Sequence, residues 1–532
     1  MPRQGIPANN AIIKKLMQAS SVGNSQTIAR NSFWFSLEML FSFCAAFFTS
    51  VAVARIIGPQ RLSYFNYIVW LTNITTTVGT FGLPVTTRKY MAEYLNRGEK
   101  EVARAAYLTT LKLQGLIAAG VMLLALTLVL AVGDPSYRAV SILLVIAMPA
   151  RMIGFIPSQA NNADEVLKRN TTPALIGGLL TTLFTVFSLW IGWDLVGVAI
   201  AVTLGPIVET TLKLRSVEGW LGSVAPGKIS PELRKRMFSY SGQGLALMLL
   251  NVVVWDRSDM IFLKAMNSDV KQITFFSIAF NLTERILMLP NAFAGSLAAT
   301  MMAQFGRGQA KLQELTVNGA RYALLLALPL LTGMACISHP LVSLLYGKPY
   351  QPLIPALAVI ALMAIPKALV AAPTLLLQTT ERQGFLILWG CTSGALDVGL
   401  DILLTPHYGA VGAGIANGSA QALAAVGIWI YAWRRLELDL RLKEFGRVFL
   451  SAAIMAAGVL AINHWIHGYL GMAISIVAGA ALWLAALRLT GAFTSADASR
   501  FRSAGSSLPA PFRPYWNRVI GLLAPPVAAA AC

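Results

Sequence analysis

Long apolar stretches separated by short polar turns dominate the chain from residue 31 to residue 490. A membrane-spanning helix needs about 20 mainly apolar residues, and fourteen stretches come close to that length. They lie at 31–54, 63–87, 106–132, 139–160, 171–191, 195–213, 237–263, 272–303, 321–345, 352–378, 384–405, 408–433, 447–464 and 469–488. The pattern predicts an all-α, polytopic membrane protein of about fourteen transmembrane helices.

Polar segments divide these spans into six, six and two. We expect an N-terminal cytoplasmic segment, a first lobe of spans one to six, a polar linker, a second lobe of spans seven to twelve, an extra pair of spans and a cytoplasmic tail. The corresponding boundaries are 1–30, 31–214, 215–236, 237–433, 434–490 and 491–532. The tail is rich in Ser, Ala and Pro, and its last apolar stretch is too short to span a bilayer. We therefore predict a mobile tail.

Composition agrees with the hydropathy pattern. Hydrophobic residues make up 56% of the 532 residues and charged residues only 12%. A soluble globular protein of this composition would expose large apolar patches. The composition therefore favours a bilayer environment.

The distribution of basic residues predicts the topology. Of the 42 Lys and Arg, 31 lie in the termini and even-numbered connections, six in the odd-numbered connections and five within spans. Cytoplasmic loops of membrane proteins are enriched in Lys and Arg, so both termini are predicted to be cytoplasmic, in a bacterial inner membrane. The same bias explains most of the net charge of +19, and we expect no nucleic-acid partner.

Cysteine and histidine spacing predicts neither a disulfide framework nor a zinc site. No CxxC pair or metal-ligand cluster occurs among the cysteines and histidines at positions 44, 336, 339, 391, 407, 464, 467 and 532. Residues 1–30 lack a short apolar core with a small-residue cleavage site, so the first apolar helix is expected to act as the insertion signal.

Three matches at a nearly constant offset indicate an internal repeat. The offsets are 211, 216 and 215 residues. The matches pair Ser63-Tyr64-Phe65 with Thr274-Phe275-Phe276, Arg151 and Pro157 with Lys367 and Pro373, and 196–201 with 411–416. Each half has an even number of spans, so both enter from the same side, with a pseudo-two-fold axis along the membrane normal and a central cavity between the lobes.

The sequence 54–59 (ARIIGP), the following 64–67 (YFNY) and the Gly197 and Gly412 helix starts resemble a known group. The resemblance is to the polysaccharide-export branch of the multidrug/oligosaccharidyl-lipid/polysaccharide (MOP) flippase superfamily, which includes Wzx-type O-antigen flippases. It implies two six-helix bundles forming a V and alternating access. It also implies transport of an undecaprenyl-diphosphate-linked glycan from the cytoplasmic to the periplasmic leaflet.

Basic side chains within spans are candidates for cargo binding, because an ionisable group at membrane depth usually faces a cavity or a partner. Arg151 and Lys367 occupy matched positions in spans four and ten, and Arg285 lies in span eight. These three could bind a diphosphate. Alternatively, they pair with carboxylates such as Glu284, Asp256 or Asp259.

Acidic residues within spans are candidates for ion coupling. Asp256 and Asp259 share a face of span seven, Asp397 and Asp401 share a face of span eleven, and Glu38 lies in span one. A proton or sodium ion bound by Asp256 or Asp259 could be coupled to lobe opening. The alternatives are water access near the periplasmic end, or pairing with a cation on another helix.

Proline and glycine add structural expectations. Pro149, Pro157, Pro290, Pro366 and Pro373 are predicted to interrupt spans four, eight and ten and are candidate hinges, although such kinks also serve packing. The Gly-rich stretch 409–418 lacks the frame of a nucleotide-binding loop and favours close helix packing.

Competing functions remain open at this point. A cation-coupled multidrug exporter shares the layout, and a lipid II flippase fits fourteen spans. A membrane glycan polymerase or ligase normally needs a larger periplasmic segment than these short connections provide. We expect a transporter rather than an enzyme, with no cofactor. Its expected partners are a lipid-linked anionic glycan, membrane lipids and polysaccharide polymerase or assembly proteins.

Overall fold

The computed structural model describes residues 40–41, 43–255, 258–267, 269–304, 309–380, 382–505 and 513–523, and this part of the chain is helical without a β-strand. The all-α prediction is confirmed. The helices are α1 Phe43–Ile57, α2 Pro59–Val78, α3 Leu83–Asn96, α4 Lys100–Val132, α5 Arg138–Ala163, α6 Lys168–Trp190, α7 Asp194–Leu221, α8 Pro231–Trp255, α9 Asp259–Met266, α10 Lys271–Gln304, α11 Gln309–Cys336, α12 Ser338–Leu345, α13 Leu353–Met363, α14 Ile365–Thr379, α15 Gln383–Leu436, α16 Leu442–Trp465, α17 Gly468–Thr490, α18 Ser495–Gly505 and α19 Arg513–Leu523. Two short 3₁₀ turns, Pro135–Tyr137 and Lys348–Tyr350, precede α5 and α13.

Helix length and hydropathy confirm a multi-pass membrane protein. Within the described residues, nine helical segments are long and apolar enough to span a bilayer, or ten if the bent pair α2 and α3 forms one span. Helix α15 contains 54 residues and covers predicted spans eleven and twelve, with non-helical backbone at Gly409. The total of fourteen spans remains a prediction.

Two predicted spans contain an interruption, and one of them is sharply bent. Span two divides into α2 and α3, which are bent by 41° at the break. Gly82 there has φ of +70°, and Pro84 lies in the first turn of α3. Span ten has a one-residue interruption at Ala364, between α13 and α14, but Ala364 keeps helical dihedral angles and Leu353–Thr379 counts as one span. Hydropathy does not detect these interruptions, because the residues that form them are small or apolar.

Contacts divide the chain into two compact units, Met1–Ile57 with Tyr67–Leu249 and Gly58–Asn66 with Leu250–Cys532. In the first unit, α7 packs against both α5 and α6. Its core includes Leu83, Met91, Tyr107, Ile156 and Val217, all of them buried. The polar stretch predicted as a linker is largely helical, since α7 ends at Leu221 and α8 begins at Pro231; charged residues such as Lys, Arg and Glu are good helix formers.

The second unit includes part of the tail. Its core joins Leu324 of α11, Leu377 of α14, Val448 of α16, Leu487 of α17 and Ile520 of α19. Burial of apolar side chains from α16, α17 and α19 in one cluster with α11 and α14 fixes these C-terminal helices on the unit.

The prediction of a mobile tail is wrong for α18. Asp497 in α18 is 1% exposed and forms an ion pair with Arg321 of α11, which is 2% exposed. Arg321 also pairs with Glu444 of α16 at 2.6 Å from Nη1 to Oε2. Phe501 packs edge-on against Tyr322, with ring centroids 5.3 Å apart. A composition-based expectation of disorder misses these contacts, because they depend on single residues.

The charge balance at Asp497 shows why this buried carboxylate is tolerated. Burial alone would raise its pKa, but hydrogen bonds from Tyr322 and Thr494 and the charge of Arg321 outweigh burial and lower the pKa below its ordinary value of 3.8. The ionised form is therefore the stable form in the folded protein.

Each unit contains a hydrogen bond that links two of its helices in a similar way. Thr210 Oγ1 of α7 donates to the Ala150 carbonyl of α5 at 2.7 Å, and Trp429 Nε1 of α15 donates to the Leu369 carbonyl of α14 at 3.2 Å. Both bonds join residues 60 positions apart. The matched hydroxyls of Ser63 and Thr274 lie 2.8 Å from each other.

The repeat-matched glycines, Gly197 and Gly412, both allow a close approach between helical segments. A Cβ at Gly197 would overlap Ser188, and a Cβ at Gly412 would lie too close to the Leu404 carbonyl. In both halves a helix start thus approaches the end of the preceding helical segment, which confirms close packing through the Gly-rich positions.

Candidate functional site

Three carboxylates of the second unit meet in its interior. Asp259 lies in the first turn of α9, and Asp397 and Asp401 lie one turn apart on α15. All three are at most 1% exposed, and one oxygen of each lies within 4.8 Å of the others. The structure thus brings three of the five predicted ion-coupling residues together in a carboxylate cluster (Asp259, Asp397 and Asp401).

A neutral side chain donates a hydrogen bond to each carboxylate. Ser258 Oγ donates to Asp397 at 3.3 Å, Thr405 Oγ1 to Asp401 at 2.8 Å and Asn417 Nδ2 to Asp259 at 3.3 Å. Among the described residues, no donor reaches the second oxygen of any of the three, so Asp259 Oδ1, Asp397 Oδ1 and Asp401 Oδ2 are buried without a hydrogen-bond partner in this part of the chain.

This arrangement suits a hard cation or a shared proton. Buried carboxylates repel one another, and an unpartnered buried oxygen carries a desolvation cost. Hard cations prefer carboxylate and carbonyl oxygens as ligands. Three converging oxygens would coordinate such an ion, and the ion would offset their charge and the cost of their burial. Asp256 and Glu38, the other two predicted coupling residues, lie outside the described residues.

Lys367 lies in α14 and pairs with a carboxylate. Its Nζ is 2.6 Å from Glu284 Oε1 of α10, and it lies 5.7 Å from the centre of the Phe280 ring. Both members of the pair are partly exposed. The alternative considered from sequence, pairing with Glu284, is therefore what the structure shows for Lys367.

Arg151 lies in α5 of the first unit and has neutral partners. Its Nη1 donates to Asn73 Oδ1 at 2.7 Å, and its Nη2 donates to the Val202 carbonyl at 3.3 Å. Glu209 acts on it electrostatically, but Glu209 is held by Lys213 at 2.5 Å. Arg285, next to Glu284 on α10, is partly buried and interacts with Tyr346.

The predicted hinge prolines differ in their surroundings. Helix α5 runs through Pro149 and Pro157, and α10 runs through Pro290, so the predicted interruption of spans four and eight is not found. A proline removes one backbone hydrogen bond and need not end a membrane helix. Pro366 adjoins the interruption between α13 and α14, and Pro373 lies within α14. Their use as hinges remains a prediction.

Two amides that sequence reasoning missed adjoin the carboxylate cluster. Asn417 and Gln421 are one turn apart on α15, and Gln421 Nε2 donates to Asn417 Oδ1 at 2.6 Å. A small cavity of about 10 Å³ is lined by both amides, by Glu284 and by Phe280. Two amides four residues apart in a helix otherwise rich in Gly and Ala were the signal that could have identified them.

Comparison with protein families identifies a match. The model of a family described as polysaccharide biosynthesis protein matches residues 28–305, just over half of the chain. A search of curated proteins finds no match.

Solved structures share the fold. The lipid II flippase MurJ in an inward closed conformation has a TM-score of 0.71 at 13% identity, covering 86% of this chain and 98% of its own. An inward-facing multidrug resistance MATE family transporter of the MOP superfamily has a TM-score of 0.63 at 16% identity, with coverages of 73% and 94%. A MOP superfamily transporter from Pyrococcus furiosus, whose binding pocket is described as having reverse polarity, has a TM-score of 0.58 at 15% identity, with coverages of 76% and 95%.

Proposed function

The chain belongs to the polysaccharide biosynthesis protein family of MOP-type flippases, and from this premise we propose that it carries an undecaprenyl-diphosphate-linked oligosaccharide across the bacterial inner membrane. The cargo moves from the cytoplasmic to the periplasmic leaflet by alternating access and supplies a surface polysaccharide such as O-antigen, capsule or exopolysaccharide. Both termini are cytoplasmic in this proposal.

The observation that carries the choice of cargo is the environment of Arg151. Its two hydrogen-bond acceptors are an amide oxygen and a backbone carbonyl, so neither of them neutralises the guanidinium charge. An arginine within a membrane span that keeps its charge is suited to an anionic headgroup, and guanidinium binds phosphate through paired hydrogen bonds. Lys367 supplies a second cation when Glu284 releases it.

The carboxylate cluster supplies the proposed driving force. A sodium ion, or a proton as the alternative, binds among Asp259, Asp397 and Asp401 and is released on the other side of the membrane. The three unpartnered oxygens support this assignment. A cation gradient can drive the cargo only if the two binding events are energetically coupled.

The test is complementation in a strain whose surface glycan depends on this gene. The double variant Arg151→Ala/Lys367→Ala should insert at the wild-type level and yield no surface glycan. A matched control is Arg97→Ala/Lys311→Ala, which removes two cations that are more than half exposed and pair with nearby Glu residues; it should leave the glycan unchanged. Normal surface glycan in the Arg151/Lys367 variant would refute the cargo site.

Lipid II flipping is a second candidate, favoured by the extent of the structural likeness to MurJ. Lipid II and the proposed cargo share the polyprenyl diphosphate and differ in the sugar. Binding of lipid II and of an O-antigen-type lipid-linked oligosaccharide to the purified protein should be compared directly. Stronger binding of lipid II would shift the assignment to that cargo.

A further inference from the structure

Two hydrogen-bonded amides and a small cavity lie between the carboxylate cluster and the Lys367–Glu284 pair within the second unit. Asn417 donates to Asp259 at 3.3 Å, Gln421 donates to Asn417 at 2.6 Å, and Gln421 shares the small cavity with Glu284. Glu284 in turn holds Lys367 at 2.6 Å. Asn417 and Gln421 are 5% and 3% exposed, so bulk water does not compete strongly for these amides.

Glycines bring the amides to this cavity. A Cβ at Gly418 would overlap the side chain of Met363, and a Cβ at Gly414 would press on Ile360. Positions 414, 417, 418 and 421 follow helical spacing, so the two glycines and the two amides lie on one face of α15. The small residues let α15 approach α13, while the amides fill the polar side of the contact.

We propose that Asn417 and Gln421 are positioning residues that couple cation binding at the carboxylate cluster to the release of Lys367 for the cargo phosphate. This inference rests on the proposed function. A cation site alone would not need the two amides, and a cargo site alone would not need them either. The role assigned to them is to couple the two sites.

The donor and acceptor pattern defines the mechanism. In the structure, the Asn417 amino group faces Asp259 and its oxygen accepts from Gln421. A cation at Asp259 repels that amino group and attracts the amide oxygen, so Asn417 turns over. Its amino group then faces Gln421, which must also turn to offer its own oxygen.

The rotation of the Gln421 amide changes which of its groups faces Glu284 across the cavity. The Gln421 amino group, released from Asn417, now points into the cavity and donates to Glu284, directly or through the one water molecule that a cavity of about 10 Å³ can hold. A carboxylate with a new donor holds Lys367 less tightly, and Lys367 can bind the headgroup. Because coupling is reciprocal, cargo binding must tighten cation binding by the same factor.

The experiment measures this coupling in purified full-length protein in nanodiscs. Binding of undecaprenyl diphosphate is measured with sodium chloride and with choline chloride, and binding of ²²Na⁺ with and without that lipid. In wild type, sodium should tighten lipid binding about tenfold, within the usual range of coupling factors. Gln421→Met has nearly the same volume and should bind each ligand alone as wild type does, while coupling falls to less than about twofold.

Two further variants keep the result interpretable. Gln421→Leu also removes the Gln421 amide but leaves a side chain of different shape. Gln114→Leu is the control, because it removes a buried glutamine of the first unit that donates to the Gly79 carbonyl. Gln114→Leu should retain full coupling. Full coupling in Gln421→Met, or loss of sodium binding itself in both Gln421 variants, would overturn the inference alone. Failure of wild type to bind sodium would overturn the inference, and failure of wild type to bind undecaprenyl diphosphate would overturn the proposed function as well.

Discussion

Arg151 and Lys367 occupy matched positions in the two halves but have partners of different charge. Arg151 donates to an amide and a carbonyl oxygen, whereas Lys367 is paired with the Glu284 carboxylate. In the proposed function, Arg151 is therefore a permanent positive charge of the first half, and Lys367 is a charge of the second half that Glu284 masks until it is drawn away. On this proposal, the same repeat position is a permanent anion site in one half and a switchable one in the other.

Removing the permanent charge should have the largest effect. Arg151→Ala is expected to weaken undecaprenyl diphosphate binding by about ten- to a hundredfold, the range for losing hydrogen bonds to a charged group. Arg151→Lys should recover part of this, because lysine keeps the charge but not the paired donors. Equilibrium binding in nanodiscs measures both. Equal binding by Arg151→Ala and wild type would remove Arg151 from the site.

Neutralising a carboxylate of the cluster should weaken cation binding and leave the charge of Arg151 unchanged. Asp401→Asn is expected to weaken ²²Na⁺ binding by more than about tenfold, roughly 1.4 kcal/mol. Lipid binding measured without sodium should stay at the wild-type level, since Arg151 and Lys367 are unchanged. Wild-type sodium affinity in Asp401→Asn and Asp397→Asn would mean that the cluster is not the ion site.

Giving Arg151 a charged partner and Lys367 a neutral one should reverse the contrast between the two cations. Asn73→Asp gives Arg151 a carboxylate and is expected to weaken lipid binding several-fold, while Glu284→Gln unmasks Lys367 and should strengthen it by a similar factor. Sodium should no longer improve lipid binding in Glu284→Gln. Changes in the same direction for both variants would contradict the contrast between the halves.

Arg321 provides a third type of buried cation and the smallest expected effect on binding. Its two carboxylate partners hold α16 and α18 against α11. Asp497→Asn should lower the free energy of unfolding by about 2 kcal/mol, below the 3–5 kcal/mol typical of a broken buried pair because Glu444 remains. Thermal unfolding in detergent measures this. A loss of lipid affinity at unchanged stability would place Arg321 in the cargo site.

The pH dependence of the same network has a defined sign. The folded pKa of Asp497 lies below its ordinary value of 3.8, so its stabilising contribution is complete above that value and is lost only as the pH falls through the lower folded pKa. Packing of α18, followed by hydrogen exchange, should therefore be unchanged between neutral and mildly acidic pH. Release of α18 already at mildly acidic pH would contradict the ion-pair account.

Hydropathy predicted the all-α membrane fold because about 20 apolar residues in a row leave few alternatives. It also indicated Asp259, Asp397 and Asp401, because a carboxylate at membrane depth is costly and usually faces a cavity or a partner. It could not show that α9 and α15 bring the three together, because that depends on how each helix is rotated. The amides Asn417 and Gln421 were overlooked for the same reason, and the packing of α18 depends on one aspartate.

Reconstituted transport tests the central claim most directly. Proteoliposomes carrying a fluorescent undecaprenyl-diphosphate-linked oligosaccharide and an imposed sodium gradient report flipping through accessibility of the sugar to a membrane-impermeant lectin. The account predicts sodium-dependent flipping by wild type and none by Arg151→Ala/Lys367→Ala. Transport of organic cations by wild type, with no movement of the lipid-linked oligosaccharide, would contradict it.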